Sequence, residues 1–490
     1  MRVRSNLEVL VPLAIFLALC FAFFPESIDD AYITLRYSLN FATGNGPVFN
    51  PGEHVEGYSN FTWMAILAAA DKLSLSMPIV MKVLSVIAGL CTIIIVGEKA
   101  KSEFGRLSSL SCALILAAST FFAMWSTDGL ETMFYTCLVS ALAVILTQPT
   151  VRPALIGCLG AAIALTRPEG IMFGLLAGAY VTYRRGIKDG ASVFLPILIG
   201  VGGYEIFRLS YFGELVSNTA LAKVHTTPRV ILRGLTYLYD FNAESGYVLL
   251  PLALAGAIIH RRTAIAQIAS SFIGAQILFL AVSGGDFMYG YRFVMPIFPL
   301  IALMATSILF QVGSEIYAAA RFGWAFTVLW IVAFQYHALP PKHFALDNLT
   351  ERRSTHFQVA RYIDSLTTSS DTVVLSEAGI IPYGIRARVY DYLGLTSPYW
   401  MVFGRNGLDV EKALAGNPKI IILMFVVHDD GKLVPRMWTD QQISESNNFK
   451  KYYRKKASFM LDPAASYLDQ IYYKYARDAK KIFFVVYERT

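Results

Sequence analysis

About eleven apolar runs, several close to the ~20 residues a helix needs to cross a bilayer, fill the first ~340 residues of the chain. They lie near 7–24, 78–97, 108–125, 130–148, 153–166, 170–183, 191–210, 246–260, 264–282, 293–312 and 323–339. Backbone groups in lipid must be satisfied within the segment, so these runs predict helices. Composition agrees: 55% of the 490 residues are hydrophobic and 16% charged, against about 25% charged in an ordinary soluble domain. Mean hydropathy is +0.49. This balance argues against a soluble enzyme, a disordered chain or a nucleic-acid binder. The net charge of +7 is scattered in short basic clusters between apolar runs, which suits loops facing anionic lipid. The first run reads as a retained helix, because Phe24-Pro25-Glu26-Ser27 is a poor small-residue cleavage site.

Alternate loops carry the cations. Arg2 and Arg4, then Lys99, Lys101 and Arg106, Arg152, Arg184, Arg185 and Lys188, Arg261 and Arg262, and Arg321 mark one side, expected to be cytoplasmic. An odd number of spans then leaves the region after ~340 outside. That region, 341–490, is polar and is expected to form a second domain. Strand-like runs at 371–376, 385–392, 419–427 and 481–487, with helical patterns near 353–367 and 460–477, predict a small α/β fold. The five cysteines, Cys20, Cys91, Cys112, Cys137 and Cys158, lie in apolar runs without metal-ligand spacing and read as small buried hydrophobes. Seven histidines without helical i, i+4 pairing argue against a histidine zinc site.

The outer loops hold the densest polar signal. After the first run comes Ile28-Asp-Asp-Ala-Tyr-Ile-Thr-Leu-Arg36, and then Val55-Glu-Gly-Tyr-Ser-Asn60. Tyr32, Leu35, Leu39 and Ala42 recur at helical spacing, predicting an amphipathic helix at the membrane surface that Asp29 would cap. A second short helix is expected from about 60 to 73. An adjacent carboxylate pair, Asp29 and Asp30, at the mouth of a membrane cavity suits a general base or a metal ligand. Further outer loops supply Asp128 and Glu131, Arg167 and Glu169, Asn218, Lys223 and His225, and Asp286 with Arg292. Carboxylates for an acceptor hydroxyl and cations for a phosphate would thus gather on one face. Each Arg taken alone reads more readily as a loop ion pair or as a cation snorkelling to the interface. The stretch Phe449-Lys-Lys-Tyr-Tyr-Arg-Lys-Lys456 reads either as a solvated helix face or as an acceptor-docking surface. The sequence holds no Gly-rich phosphate loop, H-E-x-x-H or G-x-S-x-G in a suitable setting.

Asp29-Asp-Ala-Tyr-Ile-Thr-Leu-Arg-Tyr37 with Val55-Glu-Gly-Tyr-Ser-Asn-Phe-Thr-Trp63 resembles the first outer loop of membrane-embedded GT-C glycosyltransferases. Within these it most resembles bacterial arabinofuranosyltransferases of the AftB type and the related pilin-modifying enzymes. Asp128-Gly-Leu-Glu-Thr132, Leu165-Thr-Arg-Pro-Glu-Gly170, Ser217-Asn-Thr-Ala-Leu-Ala-Lys223 and Gly284-Gly-Asp-Phe-Met288 resemble further motifs of that group, in the same order. The likeness continues weakly at Val389-Tyr-Asp-Tyr-Leu-Gly-Leu-Thr396, and Ser217 stands where the group commonly has Pro.

The resemblance implies a polytopic all-α transmembrane domain with a C-terminal extracytoplasmic α/β domain. It also implies a polyprenyl-phosphate donor carrying one sugar, D-arabinofuranose, and a glycan or pilin-like protein acceptor. The membrane would be the bacterial inner membrane. Asp30 or Asp29 would deprotonate the acceptor hydroxyl, and Arg167, Lys223 and Arg292, with His225 nearby, would hold the leaving phosphate. Arg36, Glu56, Tyr58 and Asn60 would shape the sugar pocket. No metal ligand set is assigned, and a divalent cation at the carboxylate pair is the one cofactor left open. Two alternatives remain: mannose or another sugar on the same fold, and a transporter or flippase. A transporter should place its ionisable groups near the midplane of broken helices, whereas these lie at outer span ends.

Overall fold

A computed structural model describes residues 2–24, 27–219, 227–286, 288–315, 318–337, 354–397, 403–404, 407–408, 410–428, 431–463 and 479–490. The chain separates into two compact units. One comprises Met1–Phe24, Met81–Ile206 and His225–Phe344; the other comprises Pro25–Val80, Phe207–Val224 and Ala345–Thr490. The C-terminal region expected from residue 341 therefore shares its unit with the loop after the first helix and with the segment that carries Asn218.

In the first unit every expected apolar run coincides with a helix. Met77–Phe104, Ile187–Phe212 and Ala264–Ser283 are long and apolar enough to cross a membrane, and a fourth crossing arises if Pro228–Glu244 and Leu249–Ile259, bent by 97°, count as one. Shorter apolar helices include Val9–Phe23, Arg106–Ala117, Thr132–Ile145, Pro153–Thr166, Phe298–Ile308 and Ala325–Phe334. The single run expected over 108–125 is broken in two. Ser119 caps a new helix, Thr120–Trp125, by accepting the Phe122 N–H. Pro228–Glu244 was absent from the expected set, because its polar residues Arg233, Thr236, Asp240 and Asn242 mask an apolar stripe. Cys20 and Cys112 are buried as expected, but Cys158 is exposed on its apolar helix.

The second unit is built on a six-stranded sheet. β1 (Thr372–Leu375), β2 (Arg388–Asp391), β5 (Ile420–Val427), β7 (Tyr453–Met460) and β8 (Lys481–Arg489) run in the order β2-β1-β5-β8-β7, with β6 (Leu433–Pro435) also on β5. β3 (Phe403–Gly404) and β4 (Gly407–Leu408) form a separate two-stranded sheet. β1 pairs in parallel with β2 and β5, while β8 runs antiparallel to β5 and β7. The sequence of β5, Ile-Ile-Ile-Leu-Met-Phe-Val-Val, is apolar throughout, and its first seven residues are buried. That is the pattern of a central strand covered on both faces. All four expected strands and the helix Thr355–Leu366 form. β7 was not foreseen, since Tyr453-Arg-Lys-Lys-Ala reads as a charged helix end. Half of the basic stretch is instead an edge strand, with Lys456 paired to Glu488 at 2.7 Å. The helical pattern expected over 460–477 lies largely outside the described residues.

Both helices expected in the first outer loop are present, at Asp29–Ala42 and Phe61–Lys72. Asp29 does not cap the first of them: Ile28 is the N-cap residue and no side chain caps it. Residues 31–38 are all buried, so Thr34, Arg36 and Ser38 need internal partners.

Helix contacts in the first unit depend on small residues. A Cβ on Gly256 would overlap the Met304 carbonyl oxygen and meet Ser307 Oγ at 2.6 Å, so Leu249–Ile259 and Phe298–Glu315 approach to backbone contact. Gly256→Ala should lower the thermal unfolding midpoint of the detergent-solubilised protein, by an amount equivalent to about 1–3 kcal/mol of overpacking. Gly274→Ala, where an added Cβ meets nothing within 4 Å, should not lower it. Equal midpoints for the two variants would contradict this packing.

Candidate functional site

The site residues fall into two groups, one in each unit. In the second unit the Asp29 carboxylate is fixed from the C-terminal fold. Its Oδ2 accepts the Gly379 N–H at 3.0 Å and its Oδ1 accepts the Ile380 N–H at 2.8 Å. These donors open the short helix Ile380–Tyr383, whose first N–H groups lack helical partners. The approach leaves no space, because a Cβ on Gly379 would overlap the Asp29 carbonyl. Burial pushes the Asp29 carboxyl up to about 7; Glu377 adds to the rise, and His356 and the Ile380 N–H oppose it. Asp30, one residue on, is half-buried. The two carboxylates leave the helix about 100° apart, so they point to different surroundings.

Arg36, expected to shape the sugar pocket, is held by five acceptors. Its Nε donates to the Phe49 carbonyl at 2.9 Å, and its Nη2 donates to Asn50 Oδ1 at 3.2 Å and the Ala387 carbonyl at 3.1 Å. Nη1 donates to the Pro382 carbonyl and, at 3.4 Å, to that of Ile385. Burial lowers its pKa to about 10 without removing the charge at neutral pH. Asn50 completes the tie by donating to the Val389 carbonyl and accepting the Val389 N–H.

Glu56 meets Arg208 in a forked ion pair, with Nε to Oε2 at 2.6 Å and Nη2 to Oε1 at 3.3 Å. Arg208 was missed in the sequence; its signal was a lone cation inside the run at 191–210. Tyr58 is buried against Tyr37, with ring centroids 4.9 Å apart, and Asn60 donates to Thr34 Oγ1 at 3.1 Å. Asn218 donates to the carbonyls of Ser397 at 2.6 Å and Gly394 at 3.3 Å, while its backbone N–H donates to the Glu56 carbonyl. The Gly394–Ser397 turn is shaped by Asp391, which accepts the N–H groups of Leu393, Leu395 and Thr396. Val55–Asn60, Ser217–Thr219 and Val389–Thr396, three separate motifs of the sequence, thus form one hydrogen-bonded body. Lys223 and His225 lie outside the described residues.

The first unit holds the other group. Arg167 is an ion-pair hub, with Nη1 to Glu131 Oε1 and Nε to Glu169 Oε1, both at 2.5 Å. Arg292 pairs with Asp286 at 2.8 Å. Both guanidinium groups pack on the Phe293 ring, at 5.1 and 5.0 Å from its centroid. Asp128 accepts the Leu130 N–H through Oδ1, and its Oδ2 is buried with no hydrogen-bond partner among the described residues. Two forked cations, held in place by carboxylates and an aromatic face, have the chemistry to bind an oxyanion.

Arg36 shows how much the second unit depends on one side chain. Arg36→Lys supplies one ammonium where five acceptors now converge, so several buried carbonyls lose their donor. The expected cost is about 3 kcal/mol or more. It should appear as a lower unfolding midpoint and faster proteolytic cleavage within 354–397. An unchanged midpoint and cleavage pattern would contradict the assignment.

A family described as a domain of unknown function (DUF8728) matches residues 347–478. The chain is 28% identical over 333 residues to a terminal beta-(1->2)-arabinofuranosyltransferase of Mycobacterium tuberculosis, covering 56% of this chain and 51% of that protein. It is 28% identical over 327 residues to the protein of the same name from Corynebacterium glutamicum, covering 56% of this chain and 46% of that protein. The matches thus span about half the length of these relatives. The crystal structure of ArnT from Cupriavidus metallidurans bound to undecaprenyl phosphate superposes with a TM-score of 0.59 at 12% identity, covering 98% of this chain and 97% of that one. The chain is therefore a multi-pass membrane protein with the fold of the GT-C membrane glycosyltransferases.

Proposed function

We propose that the protein transfers one sugar, D-arabinofuranose, from a polyprenyl-phosphate donor to a glycan or protein acceptor. The reaction would take place on the outer side of a bacterial cytoplasmic membrane. The fold supports a membrane glycosyltransferase, and the likeness to two arabinofuranosyltransferases supports the sugar. A lipid-linked donor agrees with the ArnT structure, which was solved with undecaprenyl phosphate.

In this reading Asp30 takes the proton of the acceptor hydroxyl as that oxygen attacks the anomeric carbon. The bond from that carbon to the phosphate oxygen breaks, and polyprenyl phosphate leaves. The observation that carries the choice of Asp30 is the commitment of its neighbour: both Asp29 oxygens accept backbone N–H groups, a positioning role. Arg167 and Arg292 would neutralise the leaving phosphate, each already oriented by carboxylates, with Lys223 and His225 assisting. Tyr58 and Asn60 would line the sugar subsite, and Glu56 would support it through Arg208. The basic surface at Lys450, Lys451, Arg454 and Lys455 would steer an anionic acceptor.

Asp30→Asn should lower turnover by about 10²–10⁴-fold, the usual range for a general base, with the unfolding midpoint unchanged. Asp29→Asn should lower the midpoint and reduce activity in proportion to the folded protein lost. Near-normal turnover by Asp30→Asn would remove Asp30 as the base.

A further inference from the structure

The second unit contains a cluster that the sugar-transfer chemistry does not use. Asp29, His356 and Glu377 each offer one ligand atom, and the three atoms all lie within 4.8 Å of one another. Asp29 is more than 300 residues from the other two, which lie on and just after consecutive elements. Asp29 is the first residue of the helix Asp29–Ala42, His356 is the second of Thr355–Leu366, and Glu377 lies two residues beyond β1. Asp29 and His356 are buried, and Glu377 is half-buried.

The charges around this cluster are predominantly negative. Glu377 acts electrostatically on Asp29, Asp391 and Asp440, all three buried, and Asp30 adds a further negative charge on Asp29. Opposing them are His356 itself and Arg436, whose Nη1 is 3.9 Å from Glu377 Oε1. Asp391 and Asp440 are committed elsewhere: Asp391 accepts three backbone N–H groups, and Asp440 accepts the N–H groups of Met424 and Met437 and the Tyr392 hydroxyl. Asp29, His356 and Glu377 thus bring two carboxylates and an imidazole together, with Arg436 beside Glu377.

We propose that Asp29, His356 and Glu377 bind a first-row transition-metal dication, zinc being the probe of choice, which clasps the first outer loop to the C-terminal α/β fold. Two carboxylates and one neutral imidazole match a dication in charge. Metal–ligand bonds of about 2.0–2.2 Å are reached by modest side-chain rotation from these separations. The imidazole favours zinc and its neighbours over magnesium and calcium, which take all-oxygen sets. Each Asp29 oxygen accepts one N–H and keeps a second lone pair for the ion. The N–H groups of Gly379 and Ile380 then orient the ligating carboxylate, and the Phe484 ring, edge-on at 4.8 Å, holds the imidazole plane. Three protein ligands leave a fourth position for water.

The proposal is independent of the sugar, because ion binding is read without donor or acceptor. Full-length protein in detergent would be stripped with a chelator, exposed to zinc chloride, dialysed, and examined by elemental mass spectrometry and thermal unfolding. Wild type should retain about one zinc per chain, with the chelator lowering the midpoint and zinc restoring it. Glu377→Gln, which removes a charge without changing size, and His356→Gln should each weaken retention by at least about tenfold and abolish the zinc-dependent midpoint shift. Should one variant fail to fold, the other still decides. Zinc retained equally by wild type and the folded variants would place the ion elsewhere and overturn the proposal. Wild type that retains none, with a midpoint indifferent to chelator, would leave an imidazole ion-paired between two carboxylates and also overturn it.

Discussion

A guanidinium and a carboxylate from one buried helix, Arg36 and Asp29, are satisfied by backbone groups of residues 379–387. Taking either charge out of water without partners costs several kcal/mol, so the loop after the first helix and the C-terminal fold have to form together. Much of the remaining second unit follows from this. Asn50 pins β2, Asn218 pins the Gly394–Ser397 turn, and the Glu56–Arg208 pair ties in the end of a long apolar helix. The contacts are mostly side chain to backbone. They fix position closely and constrain the identity of the donor residue more than that of the acceptor.

What the sequence disclosed follows the range of the forces involved. Helices and strands depend on local periodicity, and each expected apolar run and strand is found. The parallel order β2-β1-β5 depends on pairings between segments tens of residues apart, and the separation of the chain into two interleaved units on contacts hundreds of residues apart; no local pattern records either. The same holds within the site. Asp29, Asp30 and Arg167 stood out because charge beside an apolar run demands a reason. Arg208, His356 and Glu377 were not singled out, because none stands in a motif and their partners are distant in sequence. The role of Arg36 could not be read locally, because four of its five acceptors are backbone carbonyls and any residue supplies one. β7 was hidden by its lysines, which suit an exposed edge as well as a helix end.

The first unit follows a different principle. Its helices touch through glycines, and its polar residues gather into ion pairs around Arg167 and Arg292. A guanidinium held by two carboxylates is oriented in advance, so it loses little entropy when it meets a further anion. The second unit holds the adjacent aspartates, one committed to backbone donors and the other at the half-buried start of the same helix.

The central claim is that this fold transfers arabinofuranose from a lipid-linked donor. The most direct measurement gives purified full-length protein polyprenyl-phosphoryl arabinofuranose or polyprenyl-phosphoryl mannose with an arabinan-type acceptor, then follows acceptor mass and released polyprenyl phosphate. The account predicts a pentose added to the acceptor and an equal amount of polyprenyl phosphate released from the arabinofuranose donor alone. A hexose added from the mannose donor, or no product from either donor, would contradict it.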